Sequence, residues 1–205
     1  MFNIEDYIKQ FNSLFTKQKN QYPWEIIQKL PNLLMELISI TNNDYNTNDG
    51  IAIHKTAVIE SNVTLKAPVL IGPDCFIGSN AYLRGGVLLT ETVSIGPGCE
   101  VKTSIIFPGA SIAHFNFIGD SIIGRNVNFE AGAITANHFN ERENKRILAY
   151  IDSIIIDTGI EKFGSLIGDN SKIGANAVLS PGTVLIPGTI VKRLELIDQI
   201  GLLKK

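Results

Sequence analysis

The chain has no excess of basic charge, no long apolar run and few cysteines, and each shortage excludes something. Lys and Arg number 18 against 20 Asp and Glu, a formal net charge of −2 without a long single-sign run. Sequence-independent nucleic-acid binding needs a basic face, so no nucleic-acid partner is expected. No apolar stretch approaches the roughly 20 residues of a helical membrane span. The start "MFNIEDYIKQ" lacks the basic-then-apolar layout of a signal peptide. No membrane partner is expected, and the expected location is cytoplasmic. The histidines are three. The cysteines, Cys75 and Cys99, are two, enough for one bridge. At 205 residues with 44% apolar content, the chain suits one sizeable domain.

What is present is a repeat. An aliphatic or aromatic residue returns every six positions: Ile53, Ile59, Leu65, Ile71, Ile77, Leu83, Leu89, Ile95, Val101 and Phe107. Four positions after each stands a mostly small or apolar residue, from Ala57 and Val63 to Ile105 and Ser111. Turn formers such as "GPD", "GSN", "RGG" and "GPG" lie between them. The rhythm resumes at Ile167, Ile173, Leu179, Leu185 and Val191. A short strand and a turn every six residues reads as an all-β parallel β-helix, with three faces and about 18 residues per coil. Cys75 and Cys99 share the inward hexad position, 24 residues apart, and so line different walls. They read as small buried hydrophobes without a disulfide.

Residues 1–40 carry helical spacing, with a helix start expected at Pro31. This region is expected to cap the open end of the solenoid or to recruit a partner. Residues 41–50, "TNNDYNTNDG", read as a linker, 51–192 as the β-helix and 193–205 as a tail. A charged insertion spans about 136–160, a length more often functional than decorative, and its "ILAYIDSIII" reads as extra strands.

Counting in sixes also places charges. Arg84 and Lys102 each follow an inward residue and stand 18 apart, so they stack on one corner in adjacent coils. Two cations about 5 Å apart repel unless an anion lies between them, which suggests a phosphate clamp or else two solvated corner cations. His114 takes the same corner position one face away, roughly 15 Å off. A site using both groups needs a spanning ligand, a loop or a neighbouring subunit. After His114 the rhythm is read as a five-residue step, from Ala113 to Ile118. The imidazole either fills a distorted corner or serves as a general base. No histidine pair has close ligand spacing, and no metal is expected.

The run "KTSIIFPGASIAHFNFIGDSIIGRNVNFEAGAITANHFNERENK" (102–145) and the later "DTGIEKFGSLIGDN" (157–170) carry a resemblance. They resemble the C-terminal acetyltransferase half of bifunctional N-acetylglucosamine-1-phosphate uridyltransferase. They are closer still to the matching domains of bacterial and archaeal sugar-1-phosphate nucleotidyltransferase/acetyltransferases. The resemblance covers roughly residues 50–192. It implies a left-handed β-helix, a homotrimer, and transfer of acetyl from acetyl-CoA to the amine of an amino sugar 1-phosphate. It implies His114 as base, Glu100 as its orienting acid, and Asn137 near the thioester. Arg84, Lys102 and Lys145 fall on phosphate-binding positions, Asn128 on a sugar contact, and Ala131 and Ala175 on the wall along which CoA lies. Two positions depart: Phe117 stands where the family has a sugar-binding tyrosine, and Glu130 stands where it has glycine. Glu130 is expected to add negative charge near the CoA path. Residues 1–50 are too short for a nucleotidyltransferase fold and hold no Gly-rich phosphate loop, so a separate nucleotidyltransferase partner is expected. Open alternatives are another acceptor, such as a nucleotide-linked amino sugar, a longer acyl donor, or a non-catalytic trimeric sugar-phosphate-binding module.

Overall fold

A computed structural model describes residues 2–18 and 20–203. From residue 51 to 197 the chain coils as a parallel β-helix with three walls. The first wall stacks Val58–Ile59, Phe76–Ile77, Ser94–Ile95, Ser111–Ile112, Asn128–Phe129, Lys172–Ile173 and Ile190–Val191. The second runs from Thr64–Leu65 through Phe117–Gly119 to Leu196–Ile197, and the third from Ile51–His54 through Ile122–Ile123 to Thr183–Leu185. Two long strands, Tyr82–Leu89 and Glu100–Ile106, turn the corner between the second and third walls and join them into one sheet. One inward residue per wall fills the bore, among them Ile77, Leu83, Ile95, Val101, Ile112 and Ile118, each no more than 1% exposed. Cys75 and Cys99 are free and buried in this bore.

The hexad frame slips at the corner between the second and third walls. Gly85 and Gly86 form a bulge opposite the next coil, where the corner has only Thr103, and in the coil after that only Asp120. The hexad residue that follows Val101 is therefore Ile106, in register with Leu89, not Phe107, and Ile105 faces outward into the packing over the third wall. The shortened step lies here and again between Ile118 and Ile123, not after His114. Ser104 and Ser121 occupy the inward positions at this corner. Their hydroxyls accept from the Ser121 and Ser165 backbone N–H groups at 3.1 and 3.0 Å. Small polar residues let the backbone cut the corner without leaving a buried donor unpaired.

The third wall also presents apolar residues outward: Leu70, Leu88, Ile105, Ile122, Leu166 and Val184, all 8% exposed or less. The N-terminal region covers this wall rather than the end of the solenoid. It contains α1 (Phe11–Leu14) and α2 (Pro23–Ser39). α2 starts at Pro23, whose fixed φ suits the first helical position, with the Glu25 carboxylate accepting from the Tyr22 N–H at 2.7 Å. Pro31, expected to start a helix, lies inside α2 and packs against Gly86, where a Cβ would meet its ring at 3.3 Å. Trp24, Ile26, Ile27, Leu30, Leu34 and Ile38 of α2 are buried against the wall, each worth about 1.5–3 kcal/mol of burial. Phe107 belongs to this outer packing, 5.6 Å from the Phe11 ring. The open end is covered by the polar stretch read as a linker: Tyr45–Asn48 pairs antiparallel with Ile51–His54. At the other end, Leu196–Ile197 adds a strand to the second wall and α3 (Gln199–Leu203) follows, where a tail was expected.

The insertion leaves the second wall after Thr135 and re-enters the third at Ser165. It carries a hairpin, Leu148–Ile151 with Ile154–Asp157. Trp24 of α2 meets Phe163 edge-on at 5.8 Å, which ties the returning chain to the helix. No helix among the described residues is long and apolar enough to cross a membrane.

Candidate active site

The candidate residues gather along the two edges of the second wall. His114 lies at the edge shared with the first wall. Its ring is exposed and makes no hydrogen bond among the described residues, while its carbonyl accepts from Gly132 N–H at 2.9 Å. The next residue, Phe115, is 73% exposed with φ +56. Asn116 then turns inward, and its Oδ1 accepts from Ala133 N–H at 2.8 Å, which fixes the turn beneath the imidazole.

Backbone bonds define what stacks on His114. Ala131 follows in the next coil, Ala175 in the one after, and Arg193 beyond that, through Gly132 N–H to His114 O, Asn176 N–H to Ala131 O and Leu194 N–H to Ala175 O. An exposed imidazole and a guanidinium are thus separated by a shelf whose only side chains are two methyl groups. Glu130 lies beside this shelf. Its carboxylate accepts from the Ala175 N–H at 2.8 Å and pairs with Arg193 at 2.7 and 2.5 Å. Arg193 holds the Glu130 carboxyl below the usual range, with help from the Ala175 N–H. The negative charge expected near the shelf is therefore compensated. Next to the shelf, on the first wall, Asn128, Glu130, Lys172, Lys192 and Arg193 line a groove of about 460 Å³.

At the opposite edge, Arg84 and Lys102 are register partners in adjacent coils, as the 18-residue spacing requires. Each has its own carboxylate. Arg84 pairs with Glu100 at 2.6 Å, and Lys102 with Asp120 at 2.6 Å. Glu100, placed by resemblance beside the histidine, sends its carboxylate to Arg84, the nearer charge on its own wall. The Arg84 guanidinium also lies 5.7 Å from the Tyr82 ring centroid. Asp120 accepts a second, short bond from the buried Asn137 amide, and Asn137 Oδ1 lies 3.2 Å from His138 Nδ1. Asn137 thus braces the ion pair from within the insertion.

Phe117 stands between the two edges, in register with Glu100 and Ile134. Its ring and the Asn137 amide overhang Gly119, where a Cβ would sit 2.7 Å from the ring and 3.0 Å from Asn137 Nδ2. Only glycine leaves that plate flat. A groove of about 440 Å³ beside this corner is lined by Gln28 of α2, by Thr103 and Asp120, and by Glu161 and Lys162 of the returning insertion.

Two further residues were expected to contact the substrate. Asn128 lies on the first wall, in register with Ser111 and Lys172. Lys145 is half-buried in the inserted loop and, unlike Lys162, does not line the groove beside Asp120. The hairpin intervenes, and the chain returns only near Phe163, whose N–H bonds Asn137 O at 3.0 Å. Lys162 arrives there instead. Asp120, Lys162 and Arg193 were not singled out in the sequence, although Asp120 stands 18 residues after Lys102. Among the described residues no group of three His, Cys, Asp or Glu side chains could hold a metal ion.

The bacterial transferase hexapeptide family model (six repeats) matches residues 68–103, and the hexapeptide repeat of succinyl-transferase matches 157–185. The bifunctional sugar-1-phosphate nucleotidylyltransferase/acetyltransferase of Sulfurisphaera tokodaii is 35% identical over 153 residues, 71% of this chain and 37% of that protein. The bifunctional protein GlmU of Methanococcus maripaludis is 33% identical over 155 residues, 74% of this chain and 37% of that protein. The chain thus spans 37% of the length of these curated relatives. Among solved structures, a hexapeptide transferase family protein from Anaplasma phagocytophilum aligns with a TM-score of 0.38 at 22% identity, covering 70% of each chain.

Proposed function

This chain is a hexapeptide-repeat protein resembling the C-terminal acetyltransferase domain of the bifunctional sugar-1-phosphate enzymes, and on that premise we propose that it is an acetyl-CoA-dependent N-acetyltransferase acting on an amino sugar 1-phosphate. The observation that carries the reading is one wall with an unbonded imidazole on one edge and the Arg84/Lys102 stack on the other, bordered by the alanine shelf.

The shelf fits the donor. Ala131 and Ala175 carry only methyl groups beside His114, and Lys172 and Lys192 of the adjoining first-wall groove offer positive charge to the phosphates of an extended chain. When bound, acetyl-CoA supplies the activated acyl group. His114 takes a proton from the substrate amine and delivers it to the departing thiolate, while the new C–N bond forms and the C–S bond breaks. Arg84, Lys102 and Lys162 anchor the phosphate, and Phe117 gives the sugar an apolar plate without a tyrosine hydroxyl. Asn137 and Asp120 hold Lys102 in place. Asn128, on another wall, contacts the sugar from a neighbouring copy in a trimer, which also shortens the span from base to anchors. Much of the rate then comes from positioning.

One observation favours a second reading, a sugar-phosphate-binding module without turnover: Glu130 occupies the Ala175 N–H on the donor shelf. Thiol release from acetyl-CoA, followed with a panel of amino sugar 1-phosphates and nucleotide-linked amino sugars, separates the two. Turnover with a 1-phosphate is expected. Tight sugar-phosphate binding with no turnover on any acceptor would establish the module instead.

A further inference from the structure

We infer that Glu130 is a latch on the donor shelf: it holds the Ala175 N–H and Arg193 in the absence of ligand, and an acyl-CoA must displace it to lie beside His114. The inference rests on the acyl-donor reading of the Ala131–Ala175 shelf.

Glu130 reaches across coils. Its own backbone N–H bonds Ile173 O at 2.8 Å, so its position is set by the strand ladder. Its side chain then takes three donors belonging to two later coils: Ala175 N–H at 2.8 Å, and Arg193 Nε and Nη2 at 2.7 and 2.5 Å. A small residue here would leave the Ala175 N–H pointing at an open shelf and the Arg193 guanidinium free at its end. An extended amide chain ending in phosphates has a carbonyl to match the first group and a phosphate to match the second. The latch covers both.

The latch is also built to open. The Arg193 and Glu130 side chains are 73% and 38% exposed, so water can replace each bond as it breaks. Lys172 and Lys192 line the same groove and attract the incoming phosphates while Arg193 is still engaged. Binding is therefore weakened rather than prevented, and discrimination falls on donors with enough negative charge to capture Arg193. An uncharged thioester with the same acyl group lacks that means of release.

Calorimetric titration of the full chain with CoA tests this without relying on turnover. Glu130→Ala is expected to bind CoA roughly two- to tenfold more tightly, the range of one backbone hydrogen bond returned to a ligand. Glu130→Gln keeps an acceptor for Ala175 but loses the ion pair, and its affinity is expected to lie between the other two. Equal affinity in all three proteins, or weaker binding by Glu130→Ala, overturns the latch while leaving the donor shelf standing. CoA binding by none of them removes the donor reading, and the latch with it.

Discussion

Asp120→Asn isolates the ion pair on which the phosphate corner depends. Asp120 has φ +46, a conformation that asparagine tolerates as well as aspartate, so the substitution removes charge with little backbone strain. The Lys102 and Asp120 side chains are 17% and 8% exposed. Losing one partner of a fully buried pair costs about 3–5 kcal/mol because the other charge is left uncompensated. Partial exposure of Lys102 reduces this to about 2–3 kcal/mol. For a chain of this length each kcal/mol moves the thermal midpoint by about 2–4 °C, so the midpoint should fall by roughly 4–12 °C. The double variant Lys102→Met/Asp120→Asn should recover most of the loss, since a whole pair replaced by neutral groups is often nearly neutral. Circular dichroism melts of the four proteins make the cycle. A midpoint unchanged in Asp120→Asn, or a double variant losing the sum of the single losses, would show that solvent screens the pair and that Asp120 does not hold Lys102.

Burial pushes the Cys75 thiol up to about 11 from an ordinary 9.0, and raises that of Cys99. Both should resist a thiol reagent at pH 8 in the folded protein and react once it is unfolded. The raised values mean folding holds these protons, so their contribution to stability should be complete below the ordinary thiol range and be lost as pH climbs toward 11. Lys162→Met should raise the acceptor KM by about tenfold or more, the scale of one charge-assisted hydrogen bond. Lys145→Met should leave it unchanged, and the reverse result would return the phosphate contact to the inserted loop.

The repeat was legible because the bore demands one apolar residue every six, and Ile53 to Val101 obey without exception. Frame was lost where the demand changes. Ser104 is inward but small and polar, so it gives no periodic signal, while Phe107 looks like a hexad residue yet packs against Phe11. The break was read at His114, beside an aromatic run, while the missing residues belong to the corners at Thr103 and Asp120 on either side of it. Pro31 resembled a helix start because proline is favoured in a first turn. Pro23 is the one that takes that place, and Pro31 fits inside α2 because Gly86 leaves room for its ring.

The stacked cations were legible from spacing, and their carboxylates were only partly so. Asp120 shares the 18-residue step, but Glu100 reaches Arg84 from two residues off that step, which depends on side-chain direction. The length of the insertion was legible; where its lysines would land was not. A hairpin can return a chain to the same corner after any number of residues, and here it brings Lys162 rather than Lys145.

Mass spectrometry of the products formed from acetyl-CoA and glucosamine 1-phosphate, by the unaltered protein and by His114→Ala, tests the proposed chemistry most directly. An N-acetylated sugar phosphate is expected from the former, and about 10²- to 10⁴-fold less from the variant with CoA binding retained, the usual contribution of a positioned base. Equal product from both proteins would remove His114 from the chemistry. Absence of product from the unaltered protein would remove this acceptor from the wall between His114 and Lys102.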